Sequence, residues 1–239
     1  MQTIELDPTL SNTLDNARKP GLTLVIGNKN ISSWSMRPWV AAVAFNIPFT
    51  EVRLLLDQPD TAAKIAAYSH AGRVPVLLAG EMTIWDSLAI CEYLAEQFPD
   101  KHLWPQDVAA RALARSITAE MHSGFASLRN DMSMNIQARL PGRGRTAGAQ
   151  ADIGRICEIW EECLSRFGHH GFLFGDFSIA DAFYAPVVMR FKTYGVALAP
   201  ALQGYCERML AHPAVARWVT EAMVETDLTP LHDADLPRA

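Results

Sequence analysis

Cysteine is scarce in this chain of 239 residues, which has four cysteines and no CxxC pair among them. A disulfide framework or a structural zinc site normally needs closely spaced cysteines, so the sequence predicts neither, and no other metal site is expected. Cys91, Cys157, Cys163 and Cys206 all fall within helical patterns, where a free thiol behaves as a small apolar side chain. A cysteine nucleophile is therefore not expected.

Long apolar runs and an excess of positive charge are also lacking. No run approaches the roughly 20 apolar residues that cross a bilayer, and residues 1–20 contain no apolar signal core. The formal net charge is −5, whereas binding to nucleic acid normally needs a basic surface. We therefore expect a cytoplasmic globular protein that binds neither membranes nor nucleic acid.

Short apolar strands alternate with amphipathic helices between residues 22 and 98. The predicted elements are a strand at 22–27, a helix at 35–45, a strand at 48–56, a short helix at 61–68, strands at 74–78 and 81–84, and a helix at 86–97. This β-α-β-α-β-β-α order predicts a small sheet covered by helices. The first two strands are expected to be parallel.

After residue 98 the strand pattern disappears. Helical periods alone follow, at 107–135, 148–168, 178–191, 198–211 and 213–224. A mixed α/β region followed by an all-helical region indicates two domains. We predict an extension over residues 1–21, an α/β domain over 22–98, a linker over 99–106 and an all-α domain over 107–239.

A cluster of serines stands where the first predicted strand meets its helix. Ser32, Ser33 and Ser35 place hydroxyl groups beside the free backbone N–H groups and the positive end of that helix. Such a junction can hold an anion, or favour the ionised form of a thiol. A serine there can also serve only as the helix N-cap, and both interpretations remain open at this point.

A second group of candidate binding residues begins at the third predicted strand. Pro75 follows Arg73 and Val74 at the start of this strand, where a bend leaves the backbone groups of Val74 free of the sheet. Asp86 and Ser87 open the next helix, and Asp86 is also a good N-cap. If these residues converge with the serine cluster, they form a site for a peptide-like ligand with a carboxylate, an ammonium group and a thiol.

A Ser-x-x-Asp pattern lies in the helical half of the chain, at Ser178 and Asp181. It is typical of a capping box, in which each residue satisfies a backbone N–H group of the other. The surrounding residues are apolar, so this helix start is expected to be buried. We interpret both residues as structural.

In this order and spacing, the motifs resemble the glutathione transferase family over about residues 22–224. The resemblance rests on the serine cluster before Arg37, on Arg73-Val-Pro75, on Asp86-Ser87-Leu-Ala-Ile90 and on the capping box in an all-helical second half. It implies a thioredoxin-like first domain, an all-helical second domain, a cis proline, glutathione as co-substrate and a homodimer.

The resemblance implies that Ser32, or Ser33 beside it, donates a hydrogen bond to the glutathione sulfur. The serine pattern is most similar to serine-type classes such as zeta and tau. Zeta-type enzymes carry a cysteine two residues after the serine, where this chain has Trp34. This departure weakens the similarity to the isomerases of that class.

The resemblance also implies binding contacts with the rest of the tripeptide. Val74, held by Pro75, would pair with the cysteinyl backbone, and Arg73 would meet the glycyl carboxylate. Asp86 and Ser87 would hold the γ-glutamyl end. Asp86 stands where the family more often has glutamate, so this arm is shorter here.

The helix predicted at 107–135 carries His122, Phe125, Arg129 and Met132 at helical spacing. If they share a face towards the first domain, they line a pocket for the second substrate together with Trp34. Phe125 and Met132 suit the core equally well, Arg129 suits the solvent, and His122 suits a structural role.

The leading hypothesis is thus a glutathione transferase that attacks small apolar electrophiles. One alternative is a glutathione-dependent cis–trans isomerase of the maleylacetoacetate or maleylpyruvate type. Another is a non-catalytic binding module that keeps the fold.

Overall fold

Four strands and nine helices make up residues 21–227, the part of the chain that this computed structural model describes. The strands are β1 (Leu22–Ile26), β2 (Thr50–Arg53), β3 (Val76–Ala79) and β4 (Met82–Trp85). The helices are α1 (Ser33–Ala44), α2 (Thr61–Ala66), α3 (Ser87–Gln97), α4 (Val108–Ser123), α5 (Ala126–Asp131), α6 (Ala147–Phe167), α7 (Ile179–Tyr194), α8 (Pro200–Ala211) and α9 (Pro213–Met223).

A 3-10 turn at Pro99–Lys101 lies within the predicted linker, between α3 and α4. The predicted extension over residues 1–21 falls, apart from Gly21, outside the described residues, and so does the chain from residue 228. Within the described part, no helix has both the length and the apolar character needed to span a bilayer.

The four strands form one sheet in the order β2-β1-β3-β4. β1 and β2 are parallel, as predicted, with α1 as the crossover between them. β3 runs antiparallel to both β1 and β4. The C-terminal end of β1, the N-terminal end of β3 and the C-terminal end of β4 therefore lie at the same end of the sheet.

Alternate residues of β1 face different parts of the core. Leu24 and Ile26 belong to a large hydrophobic cluster that continues into the helices, whereas Val25 belongs to a smaller cluster with Ile65 of α2. This is the period-2 pattern of a strand that is buried on both faces. Because both faces are buried, a slip of one residue would exchange the two sets of side chains, so the register is strongly specified.

Helix α1 joins the sheet region to the helical region. It packs against α3 of the sheet region and against α7 and α9 of the helical region. Trp39 of α1 is fully buried and meets Trp218 of α9 edge-on, with 5.1 Å between the ring centroids. The two regions therefore share one continuous core, and the N-terminus of α1 lies at their junction.

The single helix predicted at 107–135 is wrong, because two helices occupy this segment. Gly124 ends α4, and a Cβ atom there would meet the carbonyl oxygen of Glu120 at 2.7 Å. Phe125 follows with a φ of 57°, in the left-handed region that side-chain-bearing residues seldom adopt. The residues before and after this break therefore do not share one helix face.

The predicted capping box is present at the start of α7. The Asp181 carboxylate accepts hydrogen bonds from the Ser178 N–H and hydroxyl at 2.9 and 3.0 Å, and from the Leu173 N–H and the Tyr205 hydroxyl at 3.1 Å each. Burial raises the pKa of Asp181 to about 6, against the opposing effect of these donors. Both residues therefore have the predicted structural role.

Replacing Asp181 with alanine is expected to lower the free energy of unfolding by about 2–4 kcal/mol, because buried donors lose their acceptor. Urea denaturation followed by circular dichroism measures the change. Asp176→Ala is the matched control, because its carboxylate is 90% exposed and pairs with His170 at the surface. Equal destabilisation by the two substitutions would contradict the structural role of Asp181.

Candidate active site

Eight residues predicted to bind ligands line one cleft at the end of the sheet where β1 ends. The cleft has a volume of about 910 Å³. The eight are Ser32, Ser33, Trp34, Arg73, Val74, Pro75, Asp86 and Ser87. They come from the junction of β1 with α1, from the segment before β3 and from the junction of β4 with α3. The strand order brings these three segments together, although they are separated in sequence.

Ser32 occupies the N-cap position of α1, but its side chain makes no capping hydrogen bond. Its Oγ lies 2.7 Å from Oγ of Ser35, which also accepts the Gly27 N–H at 3.1 Å. A hydroxyl group can donate one hydrogen bond while it accepts others. The Ser32 hydroxyl donates the bond to Ser35, and because a hydroxyl group rotates about its Cβ–Oγ bond, a ligand in the cleft can compete for the same proton. Since its side chain makes no capping hydrogen bond, the simple capping role is wrong for Ser32.

The neighbouring hydroxyl of Ser33 faces the helical region instead. Its Oγ accepts a hydrogen bond of 3.3 Å from Arg190 of α7. Arg190 is buried and also donates to the carbonyl oxygens of Met132 and Pro186 at 2.9 and 3.2 Å. Ser33 thus links α1 to α7, whereas Ser32 is bonded within its own junction.

Buried arginines surround the N-terminus of α1. Arg37 is 1% exposed, and its Nη1 donates to Oγ of Ser87 at 3.3 Å. Burial lowers the pKa of Arg37 to about 9, with Arg129 and Arg190 lowering it further, while Asp86 opposes them. Burial likewise lowers the pKa of Arg190 to about 10, again with help from Arg129. These cations favour an anion in the adjoining cleft.

Trp34 forms a wall of the cleft. Its ring lies beneath the guanidinium carbon atoms of Arg37 and Arg129, at 4.1 and 4.9 Å from the ring centroid. The ring of His122 meets it edge-on, with 5.2 Å between centroids. These contacts on the indole restrict its movement, so Trp34 presents a defined apolar surface beside Ser32 and Ser33.

Asp86 is the N-cap of α3, and its two carboxylate oxygens have different partners. Oδ1 accepts from the Leu88 N–H at 2.8 Å and the Ala89 N–H at 3.3 Å. Oδ2 lies 3.2 Å from Nε2 of His122. The backbone of Asp86 has a φ of 78°, an unusual conformation that often marks functional sites. Ser87, the first residue of α3, is buried at 0% exposure and also lines the cleft.

The segment before β3 also lines the cleft. The peptide bond between Val74 and Pro75 is cis, as the family resemblance implied. β3 begins at Val76, so Val74 lies outside the sheet pairing. Arg73 is exposed at the rim of the cleft.

The four residues predicted to line a pocket for the second substrate are divided by the helix break. His122 contacts Trp34 and Asp86, and the Arg129 guanidinium lies over Trp34 and donates to the His122 carbonyl oxygen at 2.9 Å. Phe125 and Met132 are buried in the main core, at 7% and 0% exposure. This is the core position that the sequence left open for these two residues, and their place in a substrate pocket stays a prediction.

The cysteines are unsuited to nucleophilic chemistry. Cys91, Cys163 and Cys206 are buried, and Cys157 is partly so. Burial raises the pKa of the Cys91 thiol, and raises those of Cys163 and Cys206 to about 12. Across residues 21–227, no group of three or more potential metal ligands comes together.

Comparison with known proteins assigns the class of protein that this fold and cleft define. The chain matches two models, described as Glutathione S-transferase, N-terminal domain, over residues 31–97, and Glutathione S-transferase, C-terminal domain, over residues 111–221. A probable maleylacetoacetate isomerase 2 of Drosophila melanogaster is 30% identical over 193 residues, which cover 80% of this chain and 84% of that protein. The chain belongs to the glutathione S-transferase family.

Two further relatives show the extent of the similarity. Glutathione S-transferase 1 of Dianthus caryophyllus is 36% identical over 121 residues, which cover 49% of this chain and 54% of that protein. The crystal structure of a glutathione transferase homologue from Burkholderia, with bound glutathione, has a TM-score of 0.66 and 26% identity. That match covers 84% of this chain and 98% of the Burkholderia chain.

The protonation of His122 tests the electrostatics of the cleft. Burial lowers the pKa of His122 from its ordinary value of 6.5, while Asp86 acts in the opposite direction. Asp86→Asn keeps a side chain that can cap α3 but removes the charge, so the pKa of His122 is expected to fall further. NMR titration of the histidine Cε1 protons measures this.

His212 is the internal control for that titration, because burial alone lowers its pKa and no carboxylate contributes. Its midpoint is expected to be the same in both proteins. A wild-type His122 midpoint above 6.5, or one that does not move in Asp86→Asn, would show that the described charge arrangement is wrong.

Proposed function

We propose that this chain is a glutathione transferase in which the Ser32 hydroxyl donates a hydrogen bond to the glutathione sulfur and holds it as a thiolate. The observation that carries this proposal is the position of the Ser32 hydroxyl, which lines the cleft at the N-terminus of α1 and caps no backbone N–H group of that helix. The bond to Ser35, which also accepts the Gly27 N–H, fixes the Ser32 oxygen, and a thiolate in the cleft competes with Ser35 for the Ser32 proton. Ser33 is the less suitable donor, because Arg190 ties it to α7.

The rest of the cleft suits the tripeptide. Arg73 at the rim supplies a guanidinium group for the glycyl carboxylate. Val74, outside the sheet, offers its backbone to the cysteinyl residue. The Ser87 N–H and the positive end of α3 suit the γ-glutamyl carboxylate. Oδ2 of Asp86 accepts the ammonium group, which then competes with His122 for this oxygen.

The chemistry requires an ionised sulfur. A free thiol has a pKa of about 8.5 and is mostly protonated at neutral pH. A hydroxyl donor, a helix N-terminus and nearby guanidinium groups all favour the thiolate. Lowering the thiol pKa by about one to two units corresponds to roughly 1.4–2.7 kcal/mol. The thiolate then attacks the electrophilic carbon of the second substrate, forming a C–S bond, and the leaving group departs with its electron pair.

A second candidate function is glutathione-dependent cis–trans isomerisation. It is favoured by the relative of Drosophila melanogaster, whose name is that of an isomerase. In such a reaction the same thiolate adds to a conjugated double bond, the resulting single bond rotates, and elimination restores free glutathione. Assays with a chloronitrobenzene-type electrophile and with a cis-enedione acid distinguish the two functions, because only the first consumes glutathione.

We also propose that the protein acts on apolar electrophiles as a homodimer in the cytoplasm. Met82 and Trp85 are 50% and 57% exposed on the edge strand β4, and exposed apolar side chains of this kind suit a contact with a second copy. The four cysteines are unpaired, as expected in a reducing compartment. Sedimentation equilibrium is expected to give twice the mass of the chain, and the mass of a monomer would contradict the dimer.

Replacing Ser32 with alanine tests the proposed catalytic role. It is expected to lower turnover by roughly tens to a thousand-fold and to raise the pKa of the bound thiol, while glutathione affinity changes little, because the tripeptide is gripped elsewhere. Steady-state kinetics give the first quantity. Ultraviolet absorbance of the bound thiolate as a function of pH gives the second.

Ser33→Ala is the matched control, since it removes a hydroxyl one position further on and loses the contact with Arg190. It is expected to affect turnover much less than Ser32→Ala. The proposal fails if Ser33→Ala removes the thiolate and Ser32→Ala does not. Absence of glutathione binding by the wild-type protein would indicate the non-catalytic module instead.

A further inference from the structure

The loop between β1 and α1 is bonded to a side chain near the end of the described chain. Glu225 lies two residues after α9, yet its side chain is only 7% exposed. Its Oε1 accepts the Lys29 N–H at 2.7 Å and its Oε2 accepts the Asn30 N–H at 2.9 Å. One carboxylate thus binds two consecutive backbone N–H groups just before the serine cluster.

Two backbone carbonyl groups of this loop also accept hydrogen bonds from the helical region. The Trp218 indole donates to the Lys29 carbonyl oxygen at 3.0 Å, and the Ile136 N–H donates to the Asn30 carbonyl oxygen at 3.2 Å. The loop in turn holds Ser32, whose N–H donates to the Asn28 carbonyl oxygen at 2.9 Å. The position of the Ser32 hydroxyl therefore depends on contacts made far from it in sequence.

Glu225 does more than hold the segment after α9 in place, because other contacts also hold that segment. Arg53 pairs with both Glu225 and Asp227, at 2.9 and 2.8 Å. Gln137 donates to the Glu225 carbonyl oxygen at 2.8 Å and so holds the same backbone. Asp227 and Glu225 both pair with Arg53. Glu225 in addition accepts the hydrogen bonds of the Lys29 and Asn30 N–H groups.

We propose that Glu225 is a positioning residue for Ser32, which sets how well the serine hydroxyl reaches the glutathione sulfur. Because its carboxylate accepts hydrogen bonds from two adjacent N–H groups, Glu225 keeps the loop in one conformation. A site held to within a fraction of an ångström needs such support from residues that do not touch the ligand. The inference rests on the proposed function of Ser32.

The sign of the effect separates positioning from simple electrostatics. The charged groups around the loop are Arg53 and Asp227 beside Glu225, and Lys29, whose Nζ pairs with Glu51 and Glu221. Loss of the Glu225 charge leaves Arg53 less compensated, which would stabilise a nearby thiolate and lower the thiol pKa. Loss of positioning has the opposite effect, because the Ser32 donor is then poorly placed.

The test is Glu225→Gln compared with Asp227→Asn, each in the full-length protein with bound glutathione. The glutamine can accept from one N–H while its own amide group faces the other. We expect the pKa of the bound thiol to rise by about half a unit or more, and the Lys29 and Asn30 amides to exchange with deuterium faster. Asp227→Asn also removes a charge beside Arg53 but leaves the loop bonds in place, so it is expected to leave the amide exchange unchanged and not to raise the thiol pKa.

Glu225→Asp is the rescue variant, because it keeps the charge on a shorter arm. Its bound-thiol pKa is expected to lie between those of the wild type and Glu225→Gln, and it replaces the latter if the glutamine protein does not fold. A folded Glu225 variant with an unchanged or lowered thiol pKa overturns the inference. If bound glutathione shows no thiolate even in the wild type, the proposed function fails and the inference fails with it.

Discussion

The hydrogen bonds that hold the turn between β1 and α1 are the constraint on which the rest of this site depends. The turn has little regular structure of its own, so several of its backbone and side-chain groups form hydrogen bonds with residues outside it. The Asn28 side-chain oxygen accepts the Leu56 N–H at 2.8 Å, and the Asn30 side-chain oxygen accepts the Gln137 N–H at 2.9 Å. Because buried polar groups need partners, this turn is defined only when sheet and helical regions are packed together. The site is therefore a property of both regions.

Buried positive charge beside this turn gives the cleft its chemical character. Arg37 and Arg190 are almost fully enclosed, yet their hydrogen-bond acceptors are hydroxyl and carbonyl oxygens rather than carboxylates. Burying a cation without a paired anion is costly, and burial lowers the pKa of both groups. An anionic sulfur or carboxylate bound in the cleft offsets part of this cost. The same buried charge lowers the pKa values of the two arginines and supports the proposed binding of a thiolate.

Local patterns allowed much of the fold and cleft to be predicted. The apolar run of β1, the capping box of α7 and the motifs around Pro75 and Asp86 each have a short-range signature. The break at Phe125 has none, because a glycine within a helical period does not by itself specify where a helix ends, and this made the single helix predicted at 107–135 wrong. Arg190 and Glu225 could not be found either, since their partners are 157 and up to 196 residues away. Such contacts depend on packing, which periodicity does not contain.

Calorimetry of glutathione binding in buffers of different ionisation enthalpy tests the central claim most directly. If the cleft stabilises the thiolate, binding near neutral pH releases a proton to the buffer, and the observed heat varies with the buffer. S-methylglutathione, which has no thiol to ionise, is expected to bind without this dependence. Heats for glutathione that do not vary with the buffer, or that vary equally for both ligands, would contradict the account.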